Sequence, residues 1–517
     1  MSDLSLRRSG RRHRAAADTV RAVPPIRPGM PGGNYKPLTQ AEIERIHALV
    51  LKLLEDLGLS QVTPSLETRA VAAGCWVDDD NRLRFPRALV EDMIARTRRK
   101  FTLHGIDPIH DIEIAAKRVH TGTGGAAPTI MDFHSGTYRE STVADLFDIA
   151  RLVDRMDNIH WYHRSVVARD ATTILDLDIN TTYACLSGTT KSIAVSYTDS
   201  ASVKAVLPML DAVAGGTGEF RKRPFCTAVC CHVVPPMRFA TESCEALEAA
   251  VLAGMPILLV AAGQAGATAP AALGGAVAQA CAEVLAGLIL CNIIDPECRG
   301  IFATWPFVSD LRTGAMSGGS GEQALLSAAC AQMAAFYDLP NSVPAGMTDS
   351  KLPDMQSGGE KGYTISLAAH AGASMIHESA GMQGSLMGTS FESYVLDNDL
   401  LGAILRTVRG VEVSEDALRF DVIRDVVMGP GHYLGHPQTF SRMKTDYLYP
   451  NIADRRSISE WEDAGARDIR DVARDTVRKV LTEHYPNHIP ENVDAQLREH
   501  YNIILPRARM RAGNGVW

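Results

Sequence analysis

Short β-rich runs alternate with longer amphipathic segments from residue 118 onward, and this alternation constrains the fold more than any other feature of the chain. Eight such runs occur, at 118–122, 160–167, 191–196, 224–234, 256–262, 300–307, 341–346 and 374–379. Helical candidates lie between them at 143–156, 172–186, 200–213, 239–253, 271–291, 322–337 and 359–371. Because each helical crossover returns the chain in the same direction, eight strands favour a closed parallel barrel over an open sheet. We therefore predict an α/β fold, a TIM (β/α)8 barrel.

The rest of the sequence divides around this barrel. We predict a basic, proline-rich N-terminal arm at 1–36, a helical lead-in packed on the barrel at 37–117, the catalytic barrel at 118–412 and a C-terminal helical extension at 413–517. In the lead-in, Thr39 and Glu42 form a capping box for a helix that ends at Gly58, and Pro86 suits the first position of a second helix. The charged amphipathic tail at 457–502 is either a cap or subunit contact, or a solvated decoration.

Charge and hydropathy exclude several classes of function. A formal net charge of −8 argues against a nucleic-acid binder, and we assign no catalytic role to the basic run of Arg7, Arg8, Arg11, Arg12, His13 and Arg14. No export signal is visible. The largely apolar stretch at 239–262 is interrupted by Glu242, Glu245, Glu248 and Pro256, so it does not indicate a membrane span. We expect a cytoplasmic protein that contacts neither a membrane nor nucleic acid.

The ten cysteines are interpreted as reduced thiols, because the long chain shows no secretory signal. Cys226, Cys230, Cys231 and His232 form the one cluster that looks like a metal site. Their segment is mostly apolar, like a buried strand, where cysteine behaves as a small hydrophobic residue. Adjacent strand residues also point to opposite faces, so Cys230 and Cys231 cannot both face one ion without a bulge. We expect no structural zinc.

The active site of a TIM barrel is built at the C-terminal ends of its strands. In this chain those ends carry many polar and aromatic residues, namely His163, Arg164, Ser196, Tyr197, His232, Gln264, Trp305, Phe307, Asp349, Lys351, His377 and Glu378. Their concentration exceeds what loops need, and it indicates a binding site at this face. A barrel mouth also holds structural salt bridges, so the alternative for each residue is a purely structural role.

The segment 345–362 is the most unusual part of these strand ends. Its glycines, Gly346, Gly358 and Gly359, let the backbone approach a ligand closely, while Asp349, Lys351, Asp354, Gln356 and Glu360 supply charge and hydrogen bonds. We interpret it as a rigid active-site loop after the seventh strand; the alternative is an ordinary exposed loop. A second glycine-rich stretch, at 316–322, lacks the lysine of a phosphate-binding loop, so we expect no nucleotide cofactor.

Three stretches together resemble the trimethylamine:corrinoid methyltransferase superfamily. They are Gly346-Met-Thr-Asp-Ser-Lys with Gln356 and Glu360, Met316-Ser-Gly-Gly-Ser-Gly-Glu, and Gly431-His-Tyr-Leu-Gly-His-Pro followed by Asp446-Tyr-Leu-Tyr-Pro. The resemblance extends from the basic arm to about residue 485. The fold of that family is a TIM barrel, in agreement with the strand count. The resemblance implies an enzyme that passes a methyl group from a methylated amine to a corrinoid protein.

One departure from the family pattern affects the expected substrate. The trimethylamine-specific branch carries pyrrolysine in the loop that resembles 351–356, whereas this chain has only standard residues. Pyrrolysine is thought to add to a free amine and to make an ammonium-like leaving group. A quaternary ammonium already has a neutral tertiary amine as its leaving group. The resemblance therefore implies a quaternary amine of the betaine type, as in family members similar to glycine betaine methyltransferase.

Candidate residues follow from this chemistry. A trimethylammonium group cannot donate hydrogen bonds, so it needs aromatic faces and carboxylates, with about 0.5 to 2 kcal/mol for each cation–π contact. We nominate four aromatic residues for substrate binding, Trp305, Phe307, Tyr363 and Tyr197, and for Trp305 and Phe307 the alternative is core packing. A betaine carboxylate needs a cationic or hydrogen-bonding partner, from Lys351, Arg164 or His377. The predicted catalytic set is Asp349, Lys351, Gln356 and Glu360, of which Asp349 and Glu360 stabilise the cation and orient the loop.

The predicted partner is a separate corrinoid protein, because this chain lacks the Asp-x-His-x-x-Gly pattern expected of a cobalamin-binding domain. We expect no tightly bound cofactor, and we expect a homo-oligomer. Two alternatives remain. The first is a Schiff-base lyase on the same barrel, with Lys191 or Lys351 as nucleophile. The second is a non-catalytic quaternary-ammonium binding protein or a scaffold for a corrinoid protein.

Overall fold

A computed structural model of the chain describes residues 24–517, so the basic run at 7–14 lies outside the described residues. Eight parallel strands form its central sheet. They are β1 (Arg118–Thr121), β2 (Tyr162–His163), β3 (Ile193–Ser196), β4 (Cys226–Cys230), β5 (Ile257–Ala261), β6 (Gly300–Thr304), β7 (Asn341–Pro344) and β8 (Met375–His377). From β2 to β8 each strand pairs with the next one along the chain.

The sheet closes on itself. β8 pairs with β1 in parallel register, with Met375 opposite His120. β1 meets β2 through a parallel bridge between Gly122 and Trp161, and the His160 amide donates to the Thr121 carbonyl at 2.7 Å. The predicted TIM barrel is therefore confirmed. A ninth strand, Met30–Pro31, pairs antiparallel with β1 on the chain's way into the lead-in.

Eight helices alternate with these strands. They are α1 (Val143–Asp154), α2 (Ile174–Gly188), α3 (Ser200–Ala214), α4 (Thr241–Leu252), α5 (Leu273–Ile294), α6 (Gly321–Phe336), α7 (Met355–Ala371) and α8 (Phe391–Arg409). Thr142 begins α1 with a capping box, and Asp354 begins α7 by accepting from the Ser357 amide. α5 is long and apolar enough to cross a membrane, yet 89% of its apolar window is buried inside the protein, as in a core helix.

Loops at the C-terminal ends of the strands carry two further small sheets. One pairs Gln264–Ala265, after β5, with Phe307–Val308, after β6. The other joins the loops after β1 and β8, and its strands are Met382–Gln383, Gly388–Thr389, Thr129–Met131 and Tyr138–Glu140. These ladders tie neighbouring loops together by backbone hydrogen bonds, so the face predicted to hold the active site is built on ordered loops.

The lead-in is mixed rather than helical. Its first helix, Gln40–Lys52, begins with the predicted capping box of Thr39 and Glu42, and continues as a π-helix, Leu53–Leu57, to Gly58. The second helix is Arg87–Arg96, with Pro86 one position earlier than predicted, at the N-cap. The other elements of the lead-in were not predicted. They are the helix Pro64–Ala72 and the short antiparallel strands Leu59–Ser60, Trp76–Val77, Arg82–Arg84, Lys100–Leu103 and Ile112–Ala115. Strands this short carry too little periodicity to detect.

The C-terminal tail docks on the barrel. Its helices are Ile458–Asp463, Ile469–Glu483 and Glu491–His500. The middle helix buries Ala473, Val477 and Leu481, and the fully buried Arg151 of α1 donates to the Leu481 carbonyl at 2.6 Å. The tail is therefore a packed cap and not a solvated decoration. Residues Val411–Tyr449 belong to a second compact unit, with helices Phe420–Val427 and Pro437–Arg442, and the Gly431 motif lies there.

Lys191, one candidate nucleophile of the lyase alternative, lies at the wrong end of the barrel. It precedes β3, is buried, and its ammonium donates to the carbonyls of Val153, Met156 and Ile159 at 2.6–2.7 Å. Burial lowers the pKa of this amine to about 8. All three N–H groups of the ammonium thus donate to backbone carbonyls at and after the end of α1. None of them faces the C-terminal end of the strands.

We expect Lys191→Met to lower the free energy of unfolding by roughly 2 to 4 kcal/mol, because three buried carbonyls lose a charged hydrogen-bond donor. Urea unfolding of the variant measures this loss. Lys204→Met, on the exposed side of α3, is the matched control and should stay within about 0.5 kcal/mol of the parent. Equal stability of both variants would show that the three carbonyl contacts contribute nothing.

Candidate active site

Four aromatic rings cluster where β2, β6 and β8 end. The His377 ring lies 5.0 Å from the Trp161 ring, 5.0 Å from the Trp305 ring and 5.5 Å from the His163 ring, measured between centroids. All four side chains are buried. His377 thus contacts the other three rings in tilted or edge-to-face arrangements, and together the four rings form an aromatic floor at the C-terminal end of the barrel interior.

Small residues and one hydroxyl hold these rings in place. A Cβ at Gly122 would lie 2.1 Å from the Trp161 indole, so only glycine admits that ring. The Ser342 hydroxyl, on β7, accepts from Trp305 Nε1 at 3.0 Å and lies 2.7 Å from His377 Nδ1. Ser342 therefore joins the two rings across neighbouring strands. The Trp161 indole nitrogen and His377 Nε2 are buried with no hydrogen-bond partner among the described residues.

Glu378 directly follows β8 and is the acidic group of this floor. Its side chain is 1% exposed, and Oε2 has no hydrogen-bond partner in the described part of the chain. Burial raises the pKa of this carboxyl to about 8. Its backbone adopts φ 64°, a left-handed conformation that costs a non-glycine residue on the order of 1 kcal/mol or more. A strained, desolvated and unpartnered carboxyl is unfavourable for folding, and such groups concentrate at binding sites.

The surrounding backbone holds Glu378 in this conformation. Next to it, Ser379 exchanges hydrogen bonds with Gly122: the serine hydroxyl donates to the carbonyl at 2.8 Å and accepts from the amide at 3.0 Å. Gly346, at φ 106°, packs so closely that a Cβ would lie 2.8 Å from the Glu378 carbonyl oxygen. The loop after β7 thus rests directly on the backbone of Glu378.

The histidines of the floor are neutral. Burial lowers the pKa of His163 to about 3 and holds the pKa of His377 well below its usual range. Both ring nitrogens of His163 lack partners among residues 24–517. A Cβ at Gly124 would lie 3.2 Å from His163 Nδ1 and 3.1 Å from Glu378 Cγ, so glycine leaves room where the two side chains approach each other.

Arg164 and Cys231 line the same region from β2 and β4. Arg164 is half-buried, and burial lowers the pKa of its guanidinium, whose Nε has no hydrogen-bond partner within the described chain. Cys231 has an exposed side chain, yet desolvation by the surrounding protein raises the pKa of its thiol. An accessible side chain enclosed by protein is typical of a deep recess. Cys230 is buried instead, so the two cysteines face opposite sides of β4, as alternation requires.

The predicted loop at 345–362 ends at Asp354, where α7 begins, so of the predicted catalytic carboxylates Asp349 lies in the loop after β7 and Glu360 lies on α7. Both carboxylates accept several hydrogen bonds. Asp349 accepts from the Gly318 amide at 2.9 Å, the Ser317 hydroxyl at 2.8 Å and the Ser385 hydroxyl. Glu360 accepts from the Thr348 hydroxyl, from the Asp349 amide and from the Gln356 side chain, the last two at 2.8 Å. The two carboxylates therefore link the loops after β6, β7 and β8.

These contacts also explain the second glycine-rich stretch. A Cβ at Gly319 would lie 2.2 Å from Glu360 Oε2, so a larger residue there would displace the Glu360 carboxylate from its present position. The Tyr363 hydroxyl donates to the Gly319 carbonyl in the same place. The stretch at 316–322 is thus a partner of the loop at 345–360, and α6 begins inside it.

Several nominated residues lie apart from the aromatic floor. Lys351 is exposed and donates to the Asp349 carbonyl at 2.6 Å, while Gln356 and Tyr363 are exposed on α7. Phe307 is buried in the strand that pairs with Gln264. The Tyr197 hydroxyl lies 3.4 Å from the sulfur of Cys226, at the opposite end of β4 from Cys231. Of the ten nominated residues, Trp305 and His377 belong to the floor and Arg164 lies beside it.

Sequence reasoning had placed Glu378 and His163 at strand ends without selecting them for the site. Trp161 was missed because it lies inside the strand predicted at 160–167 and not at its C-terminal end, whereas the strand is only Tyr162–His163. Cys231 was interpreted either as a metal ligand or as a small hydrophobic residue of a buried strand, and neither interpretation places it at the site. One available signal was the charge of Glu378: it follows an apolar strand directly, and an acidic residue there is desolvated by the barrel itself.

The chain matches a known protein family over most of its length. The family model described as trimethylamine methyltransferase (MTTB) matches residues 5–504. The chain belongs to this family. The trimethylamine methyltransferase MttB of Desulfitobacterium hafniense (strain DSM 10664 / DCB-2) is 28% identical over 460 residues, which cover 88% of this chain and 91% of that protein. The glycine betaine methyltransferase of Desulfitobacterium hafniense (strain Y51) is 27% identical over 466 residues, covering 90% and 96%.

A solved structure of the monomethylamine methyltransferase MtmB of Methanosarcina barkeri aligns with a TM-score of 0.46 and 12% identity, covering 85% of this chain and 93% of that one. Membership of the family supports methyltransferase activity for this chain. The relatives named for trimethylamine and for glycine betaine have nearly equal identities, so identity alone does not choose the substrate.

Proposed function

We propose that this enzyme transfers a methyl group from a quaternary amine of the betaine type to the cobalt(I) of a separate corrinoid protein. The observation that carries the proposal is the buried, unpartnered Glu378 carboxyl, which follows His377 in the chain and approaches His163 of the aromatic floor next to Gly124. A carboxylate among aromatic faces suits a cation that cannot donate hydrogen bonds, since ring faces and one opposite charge are what such a cation requires.

The quaternary head explains why no pyrrolysine is needed. Its leaving group is a neutral tertiary amine, whereas a free amine would need prior activation. Arg164, with its unpartnered Nε at the end of β2, supports a substrate that also carries a carboxylate, because a guanidinium binds a carboxylate strongly when both are shielded from water. A betaine carries both groups, and choline lacks the carboxylate.

Catalysis by this chain consists of binding, orientation and exclusion of water. Glu378 holds the ammonium, the two indoles fix the methyl groups, and Arg164 holds the carboxylate. Asp349 and Glu360 act as positioning residues that keep the loop after β7 against Glu378; Lys351 and Gln356 extend the same network. The methyl group passes to the cobalt(I) of the corrinoid protein, and the tertiary amine leaves with the electron pair of the broken C–N bond.

The partner protein and the assembly belong to the same proposal. We infer that the enzyme acts in the cytoplasm without a tightly bound cofactor of its own, and that it forms a homo-oligomer. Support for association comes from the unit Val411–Tyr449, whose Phe420, Met428 and Leu434 are 74%, 82% and 80% exposed. Large apolar side chains grouped on a surface mark interaction sites.

The proposed function is tested by mixing the enzyme, a reduced corrinoid protein and candidate amines, and by following the absorbance change from cobalt(I) to methylcobalt(III). Glycine betaine, proline betaine and carnitine should give turnover, and trimethylamine should give none. Ligand binding without any turnover would favour the non-catalytic alternative. Turnover with trimethylamine alone would contradict the assignment to quaternary amines.

We expect Trp305→Ala to lower kcat/KM for the betaine substrate at least roughly tenfold, about 1.4 kcal/mol of barrier, because one face of the cation pocket is lost. The kinetic assay is paired with circular dichroism to show that the variant is folded. Trp76→Ala, a 42% exposed tryptophan in the lead-in, is the matched control. Unchanged kinetics in Trp305→Ala would show that Trp305 only packs in the core and does not bind substrate.

A further inference from the structure

We propose that Glu378 takes up the substrate cation by proton exchange: the side chain is a neutral acid in the empty site, and it gives one proton to solvent when a quaternary ammonium binds beside it. The inference rests on the proposed function, since it requires a cationic substrate. Proton exchange would make substrate binding, and not only catalysis, dependent on pH. It would also let the site discriminate between a cationic head group and a neutral one of the same shape.

The groups that face Glu378 leave its negative charge without compensation. His163 and His377, from the ends of β2 and β8, are neutral because burial lowers both of their pKa values. Cys231, from β4, carries no positive charge. Arg164 is the nearby cation at the end of β2, but burial is the one cause of the raised pKa of Glu378, so Arg164 does not compensate its charge. Backbone amides do not compensate either, since Oε2 is buried with no partner.

An ionised carboxylate in such surroundings is costly, and a buried acid avoids the cost by remaining protonated. This agrees with the raised pKa of Glu378, about 8. A quaternary ammonium changes the balance, because it brings a permanent charge that it cannot neutralise by losing a proton. Its charge lies within the same dry pocket as the carboxyl. The carboxylate form then gains a direct partner, and the proton moves to bulk water.

The exchange is balanced: a carboxylic acid and a free cation become a carboxylate–cation pair and one released proton. With a pKa of about 8, about nine-tenths of the Glu378 side chains are protonated in the empty site at pH 7. About one proton is therefore released for each cation bound. Affinity for the cation then rises up to about tenfold for each pH unit between pH 6 and 8, and it becomes constant above the pKa.

The test uses two ligands of the same shape. Glycine betaine carries a trimethylammonium head, and 3,3-dimethylbutyrate replaces the nitrogen with carbon while keeping the carboxylate. Isothermal titration calorimetry in phosphate and in Tris, whose ionisation enthalpies differ, counts the protons released by each. The wild-type enzyme should release about one proton with glycine betaine and none with 3,3-dimethylbutyrate at pH 7. Tetramethylammonium, with the head group alone, should also release about one.

Variants identify the source of the proton. Glu378→Gln should abolish the release and make cation affinity independent of pH, whereas Cys231→Ala should keep the release. Glu283→Gln, which alters another buried carboxyl on α5, should keep it too. Binding of both ammonium ligands without proton release would overturn the proton exchange and leave the methyl-transfer proposal intact. Release that is lost in Cys231→Ala but kept in Glu378→Gln would also overturn it. If no quaternary ammonium binds, the proposed function fails.

Discussion

Glu378→Gln is expected to lower kcat/KM for methyl transfer at least about 100-fold, roughly 2.7 kcal/mol or more, while it makes the folded protein more stable at neutral pH. The loss follows from removing a fixed charge beside the substrate cation in a site shielded from water, where electrostatic interactions are strong. The amide keeps the shape of the acid, so the side chain should keep its place next to Gly124.

The gain in stability follows from the raised pKa of Glu378, about 8 against 4.5 in an unfolded chain. Below pH 4.5 both states hold the proton, and the acid and the amide are nearly equivalent. As the pH rises from 4.5 to 8, the unfolded chain releases its proton while the folded chain keeps it, so the wild type loses stability relative to the amide. The gap should grow by up to about 1.4 kcal/mol per pH unit in this window and become constant above pH 8.

Thermal or urea unfolding of both proteins at pH 5, 7 and 8.5, together with kinetics, measures the two effects. Glu283→Gln is the matched control: burial also raises the pKa of this carboxyl, to about 7, and Oε2 has no partner among the described residues. Because Glu283 lies on α5, outside the barrel wall, its variant should gain stability with pH and keep its activity. Equal kinetics for wild type and Glu378→Gln would exclude Glu378 from the site.

The barrel was predictable because its signal is repeated. Each strand is a short apolar run and each helix carries its own periodicity, so errors of a few residues at the ends leave the order unchanged. All eight strands and the seven helices predicted between them are present. The elements that sequence reasoning missed, such as Leu59–Ser60 and Ile112–Ala115, are short strands whose pairing depends on distant neighbours.

The site was less predictable because the chemistry is set by desolvation and contact. Asp349 and Glu360 attracted attention as charged residues among glycines, yet the glycines serve the approach of one loop to another: Gly346 meets Glu378, and Gly319 meets Glu360. The amino-acid composition of the segment at 345–360 fits a catalytic role and a structural role equally well. The structure distinguishes the two roles: the carboxylates of Asp349 and Glu360 accept hydrogen bonds from the protein, whereas Oε2 of Glu378 has no partner among the described residues.

Lys361→Met is expected to lower the free energy of unfolding by about 3 to 5 kcal/mol, because it leaves a buried carboxylate without its cation. Lys361, on α7, and Asp397, on α8, are 1% and 4% exposed, and their ion pair is 2.5 Å long. Burial raises the pKa of Asp397 even though Lys361 lowers it. The same oxygen of Asp397 accepts from the Gly381 amide at 2.7 Å, three residues after Glu378.

The pair therefore has two consequences that separate variants can distinguish. Removing the lysine alone should destabilise the protein and, through Gly381, disturb the turn that holds Glu378, so kcat/KM should fall as well. In Lys361→Met/Asp397→Leu both charges are absent, and stability should recover by at least half, since an apolar pair avoids the desolvation cost. Activity should recover less, because the Gly381 amide loses its acceptor when Asp397 is replaced. Lys222→Met, which breaks an exposed pair with Glu219, should cost under about 0.5 kcal/mol. If the single and double variants unfold at the same denaturant concentration, the ion pair is not what holds α7 to α8.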